Sequence, residues 1–171
     1  MKKTSSVSDL DTAPSTIVEL PRAHLNDSEF LVASRIYNLP TLESWTAAAR
    51  EWITLLKPGD WIALEGEMGA GKTLAVRSCL RAWNYEEPVP SPTFPLMLVH
   101  ELEERTIIHI DAFRLSGPEP WDYREWKREI VFVEWSEKTR LPQSRFTHRW
   151  KIERLADSEE RRLGLEAAGI A

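Results

Sequence analysis

A glycine-rich segment near the middle of the chain has the residue types and spacing that bind a phosphate group. Residues 66–73 read Gly-Glu-Met-Gly-Ala-Gly-Lys-Thr, which fits the pattern Gly-x-x-x-x-Gly-Lys-Thr. Glycines let the backbone take positive φ and approach a phosphate closely, so that successive N–H groups form an anion-binding nest at a helix N-terminus. Lys72 can bring a positive charge to the β- and γ-phosphates, and the Thr73 hydroxyl can bind Mg²⁺.

The flanking residues place this segment between a strand and a helix. An apolar run at 61–64 precedes it, and residues 74–80 have a helical pattern. Strand, glycine-rich turn and helix form the context of a P-loop. The sequence therefore predicts nucleoside triphosphate binding by Glu67, Met68, Gly69, Ala70, Gly71, Lys72, Thr73 and Leu74.

Two acidic residues end predicted strands. Asp111 follows the apolar run 107–110, and Glu134 follows the run 130–133, which is typical of a strand buried in a parallel sheet. Ligands of open α/β sheets bind at the carboxyl ends of the strands, so both acids can face the nucleotide. One is expected to hold Mg²⁺, directly or through water, and the other to orient the attacking water. The sequence leaves open which acid does which, and a solvated strand end is the alternative for each.

Two features near these acids could contact the γ-phosphate. Ser91-Pro92-Thr93 lies after the P-loop helix, where P-loop switch proteins often carry a γ-phosphate sensor, although it also fits an ordinary turn. Arg114 could neutralise phosphate charge or pair with Asp111 or Glu134. The sequence does not decide between these roles.

Composition limits the class of protein. A length of 171 residues predicts a single domain with a substantial core. Twenty-seven acidic and 22 basic residues argue against nonspecific wrapping of nucleic acid by the whole chain. Cys79 is the only cysteine, so no internal disulfide is expected, and its place in the P-loop helix favours a buried apolar role. No apolar run approaches 18 residues and no signal peptide follows Met1, so a cytoplasmic protein without a membrane span is expected.

The amino-terminal third is expected to add one strand and one helix. Residues 1–28 are predicted to form a disordered extension, and residues 29–171 are predicted to form a single domain. Residues 30–37 are β-prone and could form an edge strand. Thr41 can cap a helix that starts near Leu42, with Trp45 and Trp52 on its apolar face.

The carboxyl-terminal half predicts further strands. Residues 93–100 and 106–111 read as a hairpin, and residues 150–155 can pair with 163–167. Residues 119–128, which include Trp121 and Trp126, read as a short helix. His109 alternates with Ile108 and Ile110, so it is expected to point to the opposite face from them.

With these motifs in order, the chain resembles the TsaE family, formerly called YjeE. These are bacterial P-loop ATPases that support threonylcarbamoyladenosine modification of tRNA. The resemblance is carried by residues 66–73, 91–94, 109–115 and 133–135, and it extends from about Thr41 to Pro142.

The resemblance implies a P-loop NTPase fold of the α/β class, in which a mostly parallel sheet is flanked by helices and extended by antiparallel strands. It implies ATP and Mg²⁺ as cofactors, and hydrolysis that is slow for the protein alone and stimulated by partners. The implied partners are TsaB and TsaD, with tRNA contacted indirectly through their complex. The implied function is modification of adenosine 37 in tRNAs that read ANN codons, with the protein acting as a nucleotide switch.

The resemblance also assigns roles to residues. Lys72, Thr93, Asp111 and Glu134 are the implied catalytic residues, and Thr73, Asp111 and Glu134 the implied metal ligands. Ser91 and Thr93 belong to a switch-like loop, and Trp135 flanks the site. The chain departs from the family pattern at Glu67-Met68, where Asp-Leu is usual, at Phe113, where Tyr is usual, and in the short, Trp-rich segment 116–129.

Two other functions remain open from the sequence. A small-molecule kinase would need an arginine-bearing lid, for which the chain offers Arg124 and Arg128. A nucleotide-binding interaction module without turnover would not need both Asp111 and Glu134.

Overall fold

The protein is built around one mixed β-sheet. The computed structural model describes residues 17–19, 31–155 and 159–168. Within these residues the strands follow the order β1-β2-β8-β7-β3-β6-β5-β4 across the sheet. The strands are β1 (Ile17–Glu19), β2 (Leu31–Leu39), β3 (Trp61–Glu65), β4 (Met97–Glu101), β5 (Thr106–Asp111), β6 (Ile130–Glu134), β7 (His148–Arg154) and β8 (Arg161–Ala168). The helices are α1 (Leu42–Leu55) and α2 (Lys72–Ala82). Neither helix is long and apolar enough to cross a membrane.

The four central strands run parallel, and antiparallel strands extend the sheet on both sides. Strand β3 pairs in parallel with β6 and β7, and β6 also pairs in parallel with β5. All five residues of β6 are buried, which confirms the buried strand predicted at 130–133. The remaining four pairings among the described strands are antiparallel. They include the two predicted pairs, 106–111 with its hairpin partner and β7 with β8, so the predicted fold class is confirmed.

The two faces of the sheet are covered in different ways. Helices α1 and α2 pack together on one face, where the Trp52 ring meets the rings of Tyr37, Trp45 and Trp150 at centroid distances of 5.6, 6.0 and 5.4 Å. The Thr41 side chain accepts a hydrogen bond from Ser44 N and caps α1 as predicted. Within the described residues, therefore, both α-helices lie on the same face of the sheet.

Irregular chain covers the opposite face. Trp61 of β3 stacks with Trp126 at 5.8 Å and meets the Tyr123 ring edge-on at 6.1 Å. Trp121 stacks in turn on Trp126 at 6.5 Å. The short helix predicted at 119–128 is wrong, because only one 3₁₀ turn forms there, at Tyr123–Glu125. Two tryptophans five positions apart would diverge on an α-helix, whereas the open chain lets both lie over the sheet.

Two strand predictions also need correction. The strand predicted at 93–100 begins only at Met97, because residues 93–96 form a turn in which Leu96 takes φ of 64°. The strand predicted at 30–37 is present as β2, but it is not an edge strand because β1 pairs with it. Strand β1 falls inside the segment 1–28 predicted to be disordered. The rest of that segment lies outside the described residues.

Candidate active site

The phosphate-binding motif forms the loop between β3 and α2. Gly66 has φ of 148°, and a Cβ built on it would lie 2.3 Å from the backbone oxygen of Ile152 in β7. Gly71 has φ of 114°, and its Cβ would lie 3.0 Å from the Trp45 ring. A side chain at either position would therefore both strain the backbone and collide with a neighbour. The loop keeps its shape because β7 and α1 pack directly against it.

A cavity of about 520 Å³ opens beside this loop, at the carboxyl ends of β5 and β6. It contains nearly all the residues that the sequence singled out. Its lining is Met68, Gly69, Gly71, Lys72, Thr73, Leu74, Arg77, Ser91, Thr93, Asp111, Phe113, Arg114, Glu134 and Trp135. Of the expected nucleotide contacts, Glu67 and Ala70 do not line it. The carbonyl oxygen of Ala70 accepts a hydrogen bond from Arg161 of β8 at 3.1 Å.

Lys72 is only 5% exposed and lies against the loop backbone. Its Nζ donates to the carbonyl oxygens of Gly66 at 2.7 Å and Glu67 at 2.8 Å. The same ammonium lies 3.8 Å from the centre of the Trp135 ring, within cation–π range. Burial lowers the pKa of Lys72, although nearby carboxylates, with Glu134 foremost, act in the opposite direction. The ammonium is thus confined to the cavity wall where a phosphate would bind.

Glu134 is linked to the P-loop. Thr73 Oγ1 donates to Glu134 Oε1 at 2.7 Å, and His109 Nε2 lies 2.8 Å from the same oxygen. The Glu134 side chain is 5% exposed and the His109 side chain is fully buried. The acid that ends β6 is therefore held by one hydroxyl and one imidazole.

Asp111 is linked instead to the loop after α2. Thr93 Oγ1 donates to Asp111 Oδ2 at 2.8 Å, and the backbone N–H of Phe113 donates to Oδ1 at 2.9 Å. Ser91 Oγ lies 2.7 Å from Thr93 Oγ1. The Ser-Pro-Thr segment is therefore tied to the acid that ends β5.

Arg77 was not singled out from the sequence, yet it anchors the same loop. Its Nε and Nη2 donate to the carbonyl oxygen of Val89 at 3.2 and 2.9 Å. Arg77 lies four residues after Thr73 on α2, and residues at this spacing share a helix face. The spacing of four residues from Thr73 is therefore the sequence feature that could have identified Arg77 as a residue near the site.

His109 was noticed in the sequence, but its link to Glu134 was not predicted. Ile107 packs into the core beneath the helices, whereas Ile108 and Ile110 pack on the opposite face. The predicted alternation of β5 is therefore confirmed. Because side chains two apart on a strand share a face, His109 lies on the same side as Asp111. The alternation along β5 is therefore the sequence feature that could have placed His109 near the site.

Of the three arginines given possible roles from the sequence, Arg114 lies at the cavity and the other two lie elsewhere. The Arg114 guanidinium lies 4.8 Å from the centre of the exposed Phe94 ring, and within the described part of the chain it forms no ion pair with either acid. Arg124 bonds Asp122 through Nε and Nη2 at 2.8 and 2.7 Å, on the segment that covers the opposite sheet face. Neither Arg124 nor Arg128 lines the cavity.

Two aromatic side chains form one wall of the cavity. Trp135 takes φ of 59°, a conformation that is uncommon for a bulky residue, directly after the end of β6. Its ring lies 5.0 Å from that of Phe113. Phe113 occupies this wall without the hydroxyl that a tyrosine would supply.

The polar groups of the cavity suit a hard divalent cation. One hydroxyl and two carboxylates, from Thr73, Asp111 and Glu134, contribute only oxygen atoms, which are the ligands that Mg²⁺ prefers. The Thr73 hydroxyl can offer a lone pair to a metal while it donates its hydrogen bond to Glu134 Oε1. The donor set therefore fits Mg²⁺ bound with a triphosphate at the N-terminus of α2.

Comparison with known proteins identifies the family of the chain. A family model described as "Threonylcarbamoyl adenosine biosynthesis protein TsaE" matches residues 39–163, well over half of the chain. The chain belongs to the TsaE family. The matched region contains both helices, the P-loop and the two strand-end acids.

Individual relatives agree with the TsaE assignment. A protein of Aquifex aeolicus called tRNA threonylcarbamoyladenosine biosynthesis protein TsaE is 40% identical over 93 residues, which cover 53% of this chain and 68% of that protein. A protein of the same name from Haemophilus influenzae is 34% identical over 82 residues, which cover 45% of this chain and 52% of that protein. The matched segments thus span 52–68% of these two relatives.

A solved structure supports the fold. The crystal structure of Bacillus subtilis YdiB aligns with 83% of this chain and 90% of its own, with a TM-score of 0.66. The sequence identity is 23%, so the likeness extends to the fold alone. Together with the TsaE assignment, it confirms the P-loop NTPase-like architecture.

Proposed function

We propose that this TsaE family member is an Mg²⁺-dependent ATPase that acts as a nucleotide switch in threonylcarbamoyl modification of adenosine 37 in tRNAs that read ANN codons. Its partners in this proposal are TsaB and TsaD, with tRNA contacted through their complex in the cytoplasm. The observation that carries the proposal is the separate linkage of the two acids. Glu134 is bonded to the P-loop threonine, and Asp111 is bonded to the Ser91–Thr93 loop.

The separate linkage suggests a separate role for each acid. Glu134 shares a hydrogen bond with Thr73, the P-loop hydroxyl that suits Mg²⁺, so Glu134 is assigned to the metal, directly or through a bound water. Asp111 is bonded instead to Thr93 of the loop after α2, so it is assigned to the attacking water. The sequence alone left these two roles undivided.

The remaining residues hold the phosphates in line for hydrolysis. The backbone N–H groups of the loop before α2 and the Lys72 ammonium bind the β- and γ-phosphates. When bound, Mg²⁺ would neutralise charge on these phosphates. Asp111 and the hydroxyl of Thr93 orient the water toward the γ-phosphate. Loss of that phosphate removes a ligand from the Ser91–Thr93 loop, and the loop then relaxes to signal the change to a partner.

The test of this function is phosphate release from ATP with Mg²⁺, measured for the protein alone and then with TsaB, TsaD and tRNA. We expect slow release that rises several-fold when the partners are added. If release does not respond to the partners, the role in the assembly fails while the phosphate site stands. Tight ATP binding with no release under any condition would favour an interaction module without turnover.

Two variants define the site in the same assay. Lys72→Ala should abolish productive ATP binding, because it removes the ammonium from the cavity wall. Glu134→Ala should keep some ATP binding but stop turnover. Unchanged hydrolysis in both variants would overturn the site assignment. A small-molecule kinase receives no support from Arg124 and Arg128, because neither lines the cavity.

A further inference from the structure

A fully buried histidine touches the acid assigned to the metal. His109 lies on β5, and its Nε2 lies 2.8 Å from Glu134 Oε1 on the neighbouring strand β6. Thr73 Oγ1 donates to the same oxygen at 2.7 Å. The two contacts come from different parts of the chain and converge on a single carboxylate oxygen.

The surroundings determine which nitrogen of His109 carries the hydrogen. An ionised carboxylate only accepts hydrogen bonds, so the contact with Glu134 requires the hydrogen on Nε2. Nδ1 is buried and has no hydrogen-bond partner among the described residues. A hydrogen placed there would have no acceptor in the described part of the chain. His109 therefore presents Nε2–H to Glu134 and leaves Nδ1 as a bare acceptor.

This arrangement fixes one half of the Glu134 carboxylate and leaves the other half available. Both protein donors use Oε1, and within the described ranges no hydrogen bond is made to Oε2. Glu134 lines the cavity although its side chain is 95% buried. A carboxylate anchored through one oxygen presents the other in a defined direction, as the outer hydrogen bonds of metal sites do for their ligands.

We propose that His109 is a positioning residue that orients Glu134 for Mg²⁺ bound with the nucleotide. The proposal rests on the proposed ATPase function. In this proposal His109 contacts neither the nucleotide nor the metal. Its imidazole acts only through the Glu134 carboxylate. Removing the imidazole should therefore weaken the effect of Mg²⁺ on nucleotide binding, and leave metal-free nucleotide binding nearly unchanged.

His100 provides a matched control. It lies on β4 beside β5, it is 4% exposed, and its ring centroid is 6.4 Å from that of His109. Its Nε2 is also buried without a hydrogen-bond partner in the described residues. In the described residues His100 makes no hydrogen bond or ion pair with either strand-end acid, so replacing it reproduces the loss of a buried imidazole without the loss of the Glu134 contact.

The experiment measures ATP affinity by calorimetry in Mg²⁺ and again in excess EDTA, for the wild-type protein and the variants His109→Gln, His109→Asn and His100→Gln. A glutamine amide nitrogen can reach the place of Nε2, whereas an asparagine amide is too short. We expect His109→Asn to weaken binding about tenfold in Mg²⁺, as is typical for loss of a group behind a metal ligand. In EDTA it should stay within about twofold of wild type. His109→Gln should recover most of the loss, and His100→Gln should match wild type in both buffers.

The outcomes separate the two proposals. If the wild-type protein does not bind ATP, or binds it equally with and without Mg²⁺, the ATPase function itself fails. If wild type shows the Mg²⁺ effect and His109→Asn retains it in full, the positioning role is wrong. Equal losses in Mg²⁺ and in EDTA, or the same loss in His100→Gln, would mean that the imidazole only supports the fold. Denaturant unfolding of each variant confirms that folded proteins are compared.

Discussion

Asp111 and Glu134 occupy directly paired positions on β5 and β6, yet each is bonded to a different loop. The register places Asp111 opposite Glu134 at the ends of the two parallel strands. Thr93 holds the first acid and Thr73 the second. The backbone N–H of Ala112 donates to the Glu134 carbonyl at 3.0 Å and continues the pairing past the strand ends. Two acids side by side therefore connect the P-loop with the loop that follows α2.

This division predicts different kinetic effects for two conservative changes. Asp111→Asn should lower kcat about 100-fold or more, the usual contribution of a residue that activates water, with a small change in KM for ATP. Glu134→Gln should also raise the Mg²⁺ concentration needed for half-maximal rate, because the amide is a weaker partner for the cation. Steady-state kinetics across a Mg²⁺ series measure both. Identical Mg²⁺ profiles for the two variants would contradict the assignment.

The contact between Arg77 and Val89 predicts a change in loop mobility. Arg77→Ala removes two hydrogen bonds to the Val89 carbonyl, so amide exchange in residues 86–96 should accelerate about threefold to tenfold. KM for ATP should rise because the loop carries Ser91 and Thr93. Arg81→Ala is the matched control, since the Arg81 side chain, one turn further along α2, donates to the Tyr85 carbonyl and, among the described residues, makes no hydrogen bond to Val89. Equal exchange in both variants would show that Arg77 does not hold the loop.

The P-loop glycines predict a contrast in stability. A Cβ on Gly66 would lie 2.3 Å from a backbone oxygen in β7, whereas a Cβ on Gly69 would meet nothing within 4 Å. Gly69→Ala should cost about 1–2 kcal/mol of unfolding free energy, from positive φ alone. Gly66→Ala should cost clearly more, because β7 must move as well. Urea unfolding without nucleotide measures both, and equal losses would refute the role of the β7 contact.

The sequence predicted the parts of the site that depend on local pattern. The P-loop, the ends of β5 and β6 and the Thr41 cap follow from motif spacing, apolar runs and capping chemistry within a few residues. The His109–Glu134 contact was not predictable in this way. It depends on the register between β5 and β6, which joins residues 25 positions apart.

The helix predicted at 119–128 does not form, for a related reason. Tyr123 and Trp126 of this segment pack against Trp61, which lies about 60 positions away in the chain. Packing of the partly buried Trp121 and Trp126 over the sheet outweighs local helix propensity. The Trp-rich character of this segment therefore belongs to the core of the second sheet face.

A buried acid that directly precedes β3 predicts a loss of stability in acid. Asp60 is 2% exposed, and burial acts to raise its pKa. Hydrogen bonds, from His148 and from the backbone N–H of Lys57 among others, outweigh burial, so its pKa lies below the ordinary value of 3.8. A carboxyl group with a lowered folded-state pKa contributes stability above its unfolded pKa and loses it as the pH falls through the folded one.

Asp60→Asn should therefore destabilise the protein by about 1–3 kcal/mol at pH 7, the cost of weakening a buried hydrogen-bonded charge. The difference from wild type should shrink as the pH is lowered below the ordinary aspartate pKa of 3.8. Urea unfolding at neutral and acid pH measures both free energies. A difference that stays constant with pH would show that the charge of Asp60 is not the cause.

The rate at which the single cysteine reacts with a thiol reagent should depend on unfolding of the protein, and not on the state of the candidate active site. Cys79 lies on α2, is fully buried in the core beneath the helices, and was expected from the sequence to act as a small apolar residue. Burial raises the pKa of its thiol well above the usual range, so little thiolate is available at neutral pH.

Reaction of Cys79 with a thiol reagent such as Ellman's reagent should therefore be slow in buffer and fast in denaturant. Its rate should follow the unfolding free energy in the Gly66→Ala and Gly69→Ala variants, because reaction requires the helix to open. A rapid reaction of the folded wild-type protein would show that α2 opens locally, next to the P-loop that it supports.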